Sequence, residues 1–304
     1  MTIGLISLSA LVPYLLSRES EAAKEADERE KSVSNEELPE LPYRVSEPSE
    51  TQSLPSALQE ISGLVVNPAG GVGWAINDEE GVIFEVDLQT GLVKSNLAFS
   101  DRGDYEAIER IGDTLVVARS DGDLFRVRGK KVDRIESPLN READVEGLAY
   151  DAKKSRLLVA CKGRIGKKKV YKNARAVFAL PWPELTWSET PLFLITENDI
   201  EDFLDDFPVP GVDVDRADRF APSAIAVHPV SGEIYLLSTR ARLLLIVDEY
   251  GEILSMAGLN RKVHRQPEGL AFDSNGTLYI SNEGRGGKAT IHRFDPIRLS
   301  GATP

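Results

Sequence analysis

Five positions along the 304-residue chain repeat one local pattern and offer side chains that could bind a cation. Each position is the second residue of a short phrase that opens a predicted strand, such as VEGLAYDA at 145–152 or PEGLAFDS at 267–274. Successive positions are separated by 44, 40, 77 and 45 residues. The five residues, called the ring residues below, are Ser62, Glu106, Glu146, Ser223 and Glu268.

Three carboxylates at equivalent positions favour a site for a hard cation. If the repeats surround one axis, Glu106, Glu146 and Glu268 meet, and a cation, a basic side chain or protonation must offset their repulsion. Ca²⁺ takes about six to eight oxygen ligands and suits this set better than Zn²⁺ does. Two alternatives stay open: carboxylates that only bind backbone amides of neighbouring repeats, and carboxylates that take part in catalysis.

Further polar residues at the ends of the second predicted strands would lie at the same mouth of the channel. Arg119 and Lys162 could neutralise Glu106 and Glu146, or could present positive charge to an anionic ligand. The predicted ligand-binding residues are Ser62, Asp78, Arg119, Lys162, Ser223 and Glu283.

Motifs for hydrolysis by a nucleophilic side chain are missing from the chain. It contains no G-x-S-x-G and no H-E-x-x-H, and its three histidines are scattered. A metal-dependent hydrolase needs only carboxylates and a bound water, so hydrolysis of a phosphoester or lactone at the channel mouth stays open as an alternative to ligand binding. Whether the protein is an enzyme is therefore left undecided by the sequence.

The elements that must position these residues are the strands of a repeated four-strand unit. Each phrase is followed by a turn and a second, more β-branched run, and the runs alternate with the period of two typical of sheets. Five such units predict an all-β, five-bladed β-propeller. The last unit lacks one strand, and Leu41–Pro48 is predicted to supply it and close the ring.

An insertion accounts for the 77-residue spacing. It spans residues 196–221. The apolar residues Ile200, Phe203, Leu204 and Phe207 recur at i, i+3, i+4 and i+7, which predicts a short helix over 198–207 with Thr196 or Asn198 as its cap.

The remaining segments bear on localisation and partners. Residues 1–16 hold an apolar stretch shorter than the roughly 20 residues of a membrane-spanning helix, which predicts an export signal or partial anchor. Residues 17–40 are predicted to be a charged tether, 41–296 the propeller and 297–304 a tail. The formal charge of −13 argues against a protein that coats nucleic acid. The basic stretch 162–175 could instead contact anionic lipid, a phosphate-containing ligand or the acidic insertion.

Taken together, the phrases resemble the SdiA-regulated, YjiK/CarP-like family of bacterial envelope β-propellers. The resemblance covers about residues 41–296 and implies a propeller at the periplasmic side of the cytoplasmic membrane or exported, with a link to calcium and no settled enzymatic activity. We therefore expect a ligand-binding or sensing module with N-terminal membrane association and Ca²⁺ as its ligand. The residues that carry the likeness are EISGL (60–64), GDYEAIE (103–109), ARSDG (118–122), DVEGLAYD (144–151), ACKGRIGKKK (160–169), PSAIAVHP (222–229) and QPEGLAFDSNGTLYISNEGRGGKAT (266–290).

Overall fold

The computed structural model describes residues 41–163, 165 and 174–297. The predicted apolar segment and the predicted charged tether (17–40) lie outside these residues, as do most of the tail and most of the basic stretch 162–175. None of the helices within the described residues has the length and apolar character needed to cross a lipid bilayer.

The described strands form five antiparallel sheets of four strands each, which confirms the five-bladed propeller. Blade 1 contains β2 (Ile61–Val66), β3 (Val72–Asn77), β4 (Val82–Asp87) and β5 (Val93–Ala98). Blade 2 contains β6 (Tyr105–Ile111), β7 (Thr114–Arg119), β8 (Leu124–Arg128) and β9 (Lys131–Ile135). Blade 3 contains β10 (Val145–Asp151), β11 (Arg156–Cys161), β12 (Ala174–Pro181) and β13 (Phe193–Thr196).

The last two blades complete the ring. Blade 4 contains β14 (Ala224–Val227), β15 (Ile234–Ser238), β16 (Leu243–Val247) and β17 (Ile253–Gly258). Blade 5 contains β18 (Pro267–Phe272), β19 (Leu278–Asn282), β20 (Thr290–Phe294) and, as its outer strand, β1 (Glu50–Ser53) from the N-terminal side. The first strand of each blade begins with one of the repeated phrases, as predicted.

Closure of the ring by an N-terminal strand is confirmed, but the strand lies later in the chain than Leu41–Pro48. It is β1 that pairs antiparallel with β20, with Gln52 opposite Ile291. Residues 41–48 form turns because Pro42 and Pro48 have no amide N–H to donate to a strand partner. The side chains of Tyr43 and Val45 are instead buried between blades 4 and 5.

The core is divided into five apolar clusters, one between each pair of neighbouring blades. Because every blade packs on two neighbours, each first strand is held in place from both sides around the central channel. Polar residues at the start of these strands are thereby fixed relative to one another.

The predicted helix in the insertion is confirmed as α1 (Glu197–Asp206). Thr196 caps it, and the side chains of Thr196 and Asp199 form a reciprocal capping box. Ile200 and Leu204 are buried in the cluster between blades 3 and 4. A second short helix follows as α2 (Val214–Ala217), and 3₁₀ turns lie at Ser56–Leu58 and Arg141–Ala143.

Candidate functional site

Four of the five ring residues sit at irregularities in the first strands, and Ser223 directly precedes the first strand of blade 4. In four blades the pairing between first and second strand skips the ring residue, for example between Val145 and Gly147 in blade 3. A β-bulge of this kind turns a side chain away from the regular pleat. The skipped residues are Ser62, Glu106, Glu146 and Glu268.

Glycines next to three ring residues let the first strands approach closely around the axis. A Cβ on Gly147 would lie 2.8 Å from Ile225 Cγ2, and one on Gly63 would lie 3.1 Å from the backbone nitrogen of Ile108. Gly269 packs in the same way against Leu64. The channel therefore narrows just below the ring, to a neck of about 10 Å³.

Above this neck lies a cavity of about 150 Å³, called the mouth cavity below. Its lining holds six carboxyl groups and one ammonium group, so it is strongly acidic. The lining residues are Glu60, Ile61, Ser62, Asp78, Glu106, Glu146, Lys162, Gln266, Glu268 and Glu283.

Lys162 is the basic residue that enters the ring. Its ammonium group donates a hydrogen bond to a carboxylate oxygen of Glu146, and the two form an ion pair. Burial by itself would lower the pKa of Lys162, but the carboxylates of Glu146 and Glu268 raise it above the ordinary value. The predicted neutralisation of Glu146 by Lys162 is thus present, and the lysine is held charged.

The ring carboxyl groups retain protons to unusually high pH. Burial, followed by the nearby charge of Glu146, raises the pKa of Glu268 to about 8. Burial and the charges of Glu146 and Asp104 raise the pKa of Glu106 well above its ordinary range. Burial also raises the pKa of Glu146, although Lys162 opposes this shift. One ammonium group therefore does not compensate three carboxylates, and protonation supplies the rest.

A second acidic group lies on the side of the cavity formed by blades 1 and 5. Burial and the neighbouring charge of Glu60 raise the pKa of Asp78. Burial, together with the charge of Asp78, also raises the pKa of Glu283, against the opposing effect of Arg285. One buried oxygen of Asp78 has no hydrogen-bond partner and is available as an acceptor. Oε2 of Glu283 has no hydrogen bond either, but it lies 3.6 Å from Nε of Arg285 in an ion pair.

The two ring serines have a different role. Ser62 donates its hydroxyl to the carbonyl of Tyr105 at 2.7 Å, and Ser223 donates to the carbonyl of Pro267 at 3.0 Å. Each acceptor immediately precedes the ring residue of the next blade, so these hydroxyls tie blade 1 to blade 2 and blade 4 to blade 5. Ser62 also lines the mouth cavity, whereas Ser223 does not.

Arg119 does not reach the ring, contrary to the prediction that it could neutralise Glu106. Its guanidinium pairs with Asp121 and Asp123, both at 2.7 Å, in the turn that follows its own strand. These aspartates lie two and four residues further along the chain, and their proximity holds the side chain in blade 2. Of the two basic residues predicted at the site, Lys162 lines the mouth cavity and Arg119 does not.

Among the described residues, no group of three or more His, Cys, Asp and Glu side chains is arranged so as to hold a metal ion. The oxygen donors suit Ca²⁺ chemically, and the buried oxygen of Asp78 that has no hydrogen-bond partner is of the right type. The carboxylate of Glu146, however, already accepts a hydrogen bond from the ammonium group of Lys162. The metal assignment of Glu106, Glu146 and Glu268 stays a prediction, and it requires the ring to rearrange.

Sequence reasoning missed two features of the channel. Gln266 lines the mouth cavity, and its place two residues before Glu268 was a usable signal. A second cavity of about 180 Å³ lies beyond the neck and is mostly apolar in its lining. Its wall contains Glu109, whose carboxylate accepts the backbone N–H of Tyr150 at 2.9 Å and so ties blade 2 to blade 3.

Comparison with solved structures shows the fold and no more. The chain is similar to the glutaminyl cyclase of Myxococcus xanthus, with 12% identity, a TM-score of 0.53, and coverage of 82% of this chain and 95% of that one. It is also similar to a luciferin-regenerating enzyme, with 11% identity, a TM-score of 0.51, and coverage of 84% of this chain and 98% of that one. At such low identity neither activity transfers to this chain.

The sequence itself gives a more specific match. The model of the SdiA-regulated family matches residues 210–285, a stretch that includes blade 4 and the first two strands of blade 5. This stretch contains two of the repeated phrases on which the resemblance was based, PSAIAVHP and the start of the QPEGLAFD segment. The family that the chain's motifs resemble and the family whose model matches it over residues 210–285 are therefore the same, SdiA-regulated.

Proposed function

We propose that this protein is a binding or sensing module whose mouth cavity takes a cationic ligand, with Ca²⁺ as the first candidate. The observation that carries the proposal is the composition of the cavity: six carboxyl groups and one ammonium group in about 150 Å³. Such a concentration of buried acids costs stability unless a positive charge or protons offset it. A bound cation would provide that charge.

Cation binding at this site is a competition. The ligand has to displace the ammonium of Lys162 from Glu146 and the protons held by Glu106 and Glu268. Affinity should therefore rise with pH as these carboxyl groups ionise. The displaced side chain of Lys162 would give the protein two states, empty and loaded, which is what a sensor requires.

The hydrolase alternative is weaker. It relied on Arg119 and Lys162 together to position an anionic substrate, and the guanidinium of Arg119 is engaged with Asp121 and Asp123. Lys162 alone remains, and it is paired with Glu146. Nothing in the described residues favours hydrolysis over binding.

The location of the protein is part of the same proposal. The apolar stretch in residues 1–16 and the family resemblance support association with the periplasmic side of the cytoplasmic membrane or export. In such a compartment the mouth cavity would be exposed to extracellular cation concentrations. Fractionation of cells that express the full chain, with and without residues 1–16, would test this part.

Thermal stability in the presence of Ca²⁺ tests the binding site. At a free concentration near 100 times the dissociation constant, ligand binding should stabilise the native state by about 2.7 kcal/mol. For a domain of this size that corresponds to a rise of about 5–10 °C in Tm. The substitution Glu146→Gln should remove most of the rise.

The matched control is Glu136→Gln, which neutralises an exposed carboxyl just after β9, outside the mouth-cavity lining. It should retain the full Ca²⁺-dependent shift. An equal shift in wild type and Glu146→Gln, or no shift in any of the three proteins, would rule out the ring as the Ca²⁺ site.

A further inference from the structure

A group of basic residues lies on two neighbouring loops beside the mouth cavity. The first loop, between β15 and β16, contains Arg240 and Arg242, and the second, between β17 and β18, contains Arg261, Lys262 and Arg265. Neither loop contains an acidic residue. These five residues are called the basic rim below. In a chain of net charge −13 such a concentration is unexpected.

The basic rim borders the cavity directly. Gln266, the residue after Arg265, lines the cavity, and Thr239, the residue before Arg240, donates its hydroxyl to the carbonyl of Pro267. The rim therefore belongs to the same end of the propeller as the ring.

Four of the five rim residues are exposed and form no close ion pair. Arg240, Arg261, Lys262 and Arg265 are exposed. In the part of the chain that the structure describes, none of these four forms an ion pair within 4.0 Å of a carboxylate. Surface cations elsewhere on the molecule are commonly paired, as Arg102 is with Glu79. Arg240 lies near enough to Asp144 to act on the pKa of that carboxyl, whereas Arg261, Lys262 and Arg265 offer positive charge to a partner.

The fifth rim residue holds the two loops together. The guanidinium of Arg242 donates to the carbonyl of His264 at 3.0 Å and to that of Arg265 at 3.2 Å. Burial, followed by the like charges of Arg261 and Arg216, lowers the pKa of Arg242. The hydrogen bonds of Arg242 therefore hold several like charges close together. Their repulsion opposes folding, and binding of an external anion would reduce that repulsion.

We propose that the basic rim docks the propeller on the surface of an anionic phospholipid bilayer. The rim residues line none of the cavities described above, so they present an extended charged surface and not a pocket for one small phosphate. Clusters of exposed Lys and Arg bind anionic headgroups through charge alone, with about 1 kcal/mol for each residue near the surface.

Two other macromolecular partners fit this surface less well. The net charge of −13 would repel a nucleic acid from most of the molecule. A stable protein interface needs apolar or aromatic anchors at its centre, and the rim loops expose no aromatic side chain. The ring carboxyl groups lie deeper than the rim, and their raised pKa values reduce the negative charge next to it.

Vesicle binding by the full chain tests the proposal. The test protein carries Arg261→Glu, Lys262→Glu and Arg265→Glu, and the matched control carries Lys94→Glu, Lys130→Glu and Lys131→Glu, the same charge change on blades 1 and 2. Wild type is expected to partition to vesicles with phosphatidylglycerol more strongly than to phosphatidylcholine vesicles. The rim variant should lose this preference, by roughly a hundredfold in partition coefficient, while the control should lose less than about threefold.

Comparison of the two vesicle types separates the rim from the N-terminal segment. Binding through residues 1–16 would be equal in all three proteins on phosphatidylcholine, and that background is subtracted. Equal losses in rim variant and control would overturn the proposal, as would wild-type binding that does not depend on phosphatidylglycerol. The thermal midpoints of the variants must not fall below that of wild type, and a milder set with Gln at the three rim positions should give an intermediate loss of vesicle binding.

An acidic polypeptide is the remaining alternative, and poly-glutamate serves as its probe. If poly-glutamate binds the wild-type rim more tightly than phosphatidylglycerol vesicles of equal charge concentration do, the lipid assignment is wrong. The cation site has its own readout in the Glu146→Gln protein, which should bind vesicles as wild type does. The two proposals can therefore fail separately.

Discussion

At the scale of single residues, Lys162 decides the state of the mouth cavity. It supplies a positive charge from within the chain where an external cation would otherwise bind, and its partner Glu146 is almost fully buried. A tethered charge has the advantage of high local concentration, so any soluble cation must be multivalent or make additional contacts to displace it. Asp78 and Glu283 provide such contacts within the same cavity.

The substitution Lys162→Met should therefore raise the affinity for Ca²⁺, by on the order of tenfold, because the internal competitor is lost. Calorimetric titration at fixed pH measures the affinity for Ca²⁺. The control is Lys130→Met, in the turn between β8 and β9 of blade 2. Unchanged or weaker Ca²⁺ binding in Lys162→Met would mean that the lysine assists the ligand and does not compete with it.

Glu106 gives a prediction about stability. Burial, followed by the charge of Glu146, raises its pKa in the folded protein above the ordinary 4.5, so the folded state keeps a proton that the unfolded chain loses. The contribution to stability is present below about pH 4.5 and is lost as pH rises through the folded pKa. Glu106→Gln should hence stabilise the protein by about 1–3 kcal/mol near pH 8 and have little effect near pH 4.

Urea unfolding of wild type and Glu106→Gln at the two pH values provides the measurement, in the absence of divalent cations. Glu136→Gln is the control, since it removes an exposed carboxyl far from the channel lining. Destabilisation of Glu106→Gln near pH 8 would show that this carboxylate stabilises the empty channel.

At the scale of elements, closure of the propeller depends on two histidine contacts near the N-terminal strand. The ring nitrogen Nε2 of His264 lies 2.7 Å from the carbonyl oxygen of Val45, and Nδ1 of His292 lies 2.8 Å from the hydroxyl of Thr51. Both histidines belong to blade 5 or its entry loop, and both contacts hold chain that precedes blade 1. Protonation of either imidazole should therefore weaken the closure of the propeller.

Acid should loosen this closure. Burial, opposed by the hydrogen bond to Val45, lowers the pKa of His264 to about 4, against 6.5 for the free side chain. As pH falls from about 6.5 to 4 the unfolded chain takes up a proton that the folded chain refuses, so stability is lost over this range, by about 3 kcal/mol at most. The variant His264→Gln, which can still donate to Val45, should show a correspondingly smaller loss.

The quantity to measure is the free energy of unfolding of both proteins at about pH 7 and pH 4.5. The ring glutamates contribute a pH dependence of opposite sign to that of His264, and this contribution is the same in both proteins. The difference between the two proteins cancels that contribution. Identical pH dependence in wild type and His264→Gln would exclude His264 as the acid-sensitive group.

The elements also show how far the sequence could be interpreted. The repeated phrases predicted each first strand, because a buried strand next to a turn is recognisable from a few consecutive residues. The closing strand was misplaced because β1 (Glu50–Ser53) contains only polar residues and has no apolar strand pattern, whereas Leu41–Pro48 is apolar in part. Only the pairing of β1 with β20 identifies the closing strand. Arg119 was misplaced for a similar reason: strand register brought it near the ring, but Asp121 and Asp123 compete for it locally.

At the scale of the whole molecule, charge is distributed unevenly around one end of the propeller. An acidic cavity on the axis adjoins a basic rim on the loops of blades 4 and 5. The rim was visible in the sequence as loops with basic residues and no acidic ones, but its position beside the cavity required the fold. On our proposals, the rim orients the propeller on an anionic membrane while the cavity samples cations.

Salt dependence distinguishes the two sites in the intact protein. Rim binding to phosphatidylglycerol vesicles involves exposed charges and should weaken steeply between low and high ionic strength. Ca²⁺ binding in the partly buried mouth cavity should weaken less with added NaCl. Parallel loss of both interactions would contradict the assignment of the cation to a buried site.

The measurement that tests the central claim most directly is calorimetric titration of the wild-type protein with Ca²⁺ near pH 7, in two buffers of different ionisation enthalpy. Our account predicts one Ca²⁺ per chain and release of protons, because carboxyl groups such as Glu268, with a pKa of about 8, must ionise to accept the ion. Absence of binding, or binding with no protons released, would contradict the account.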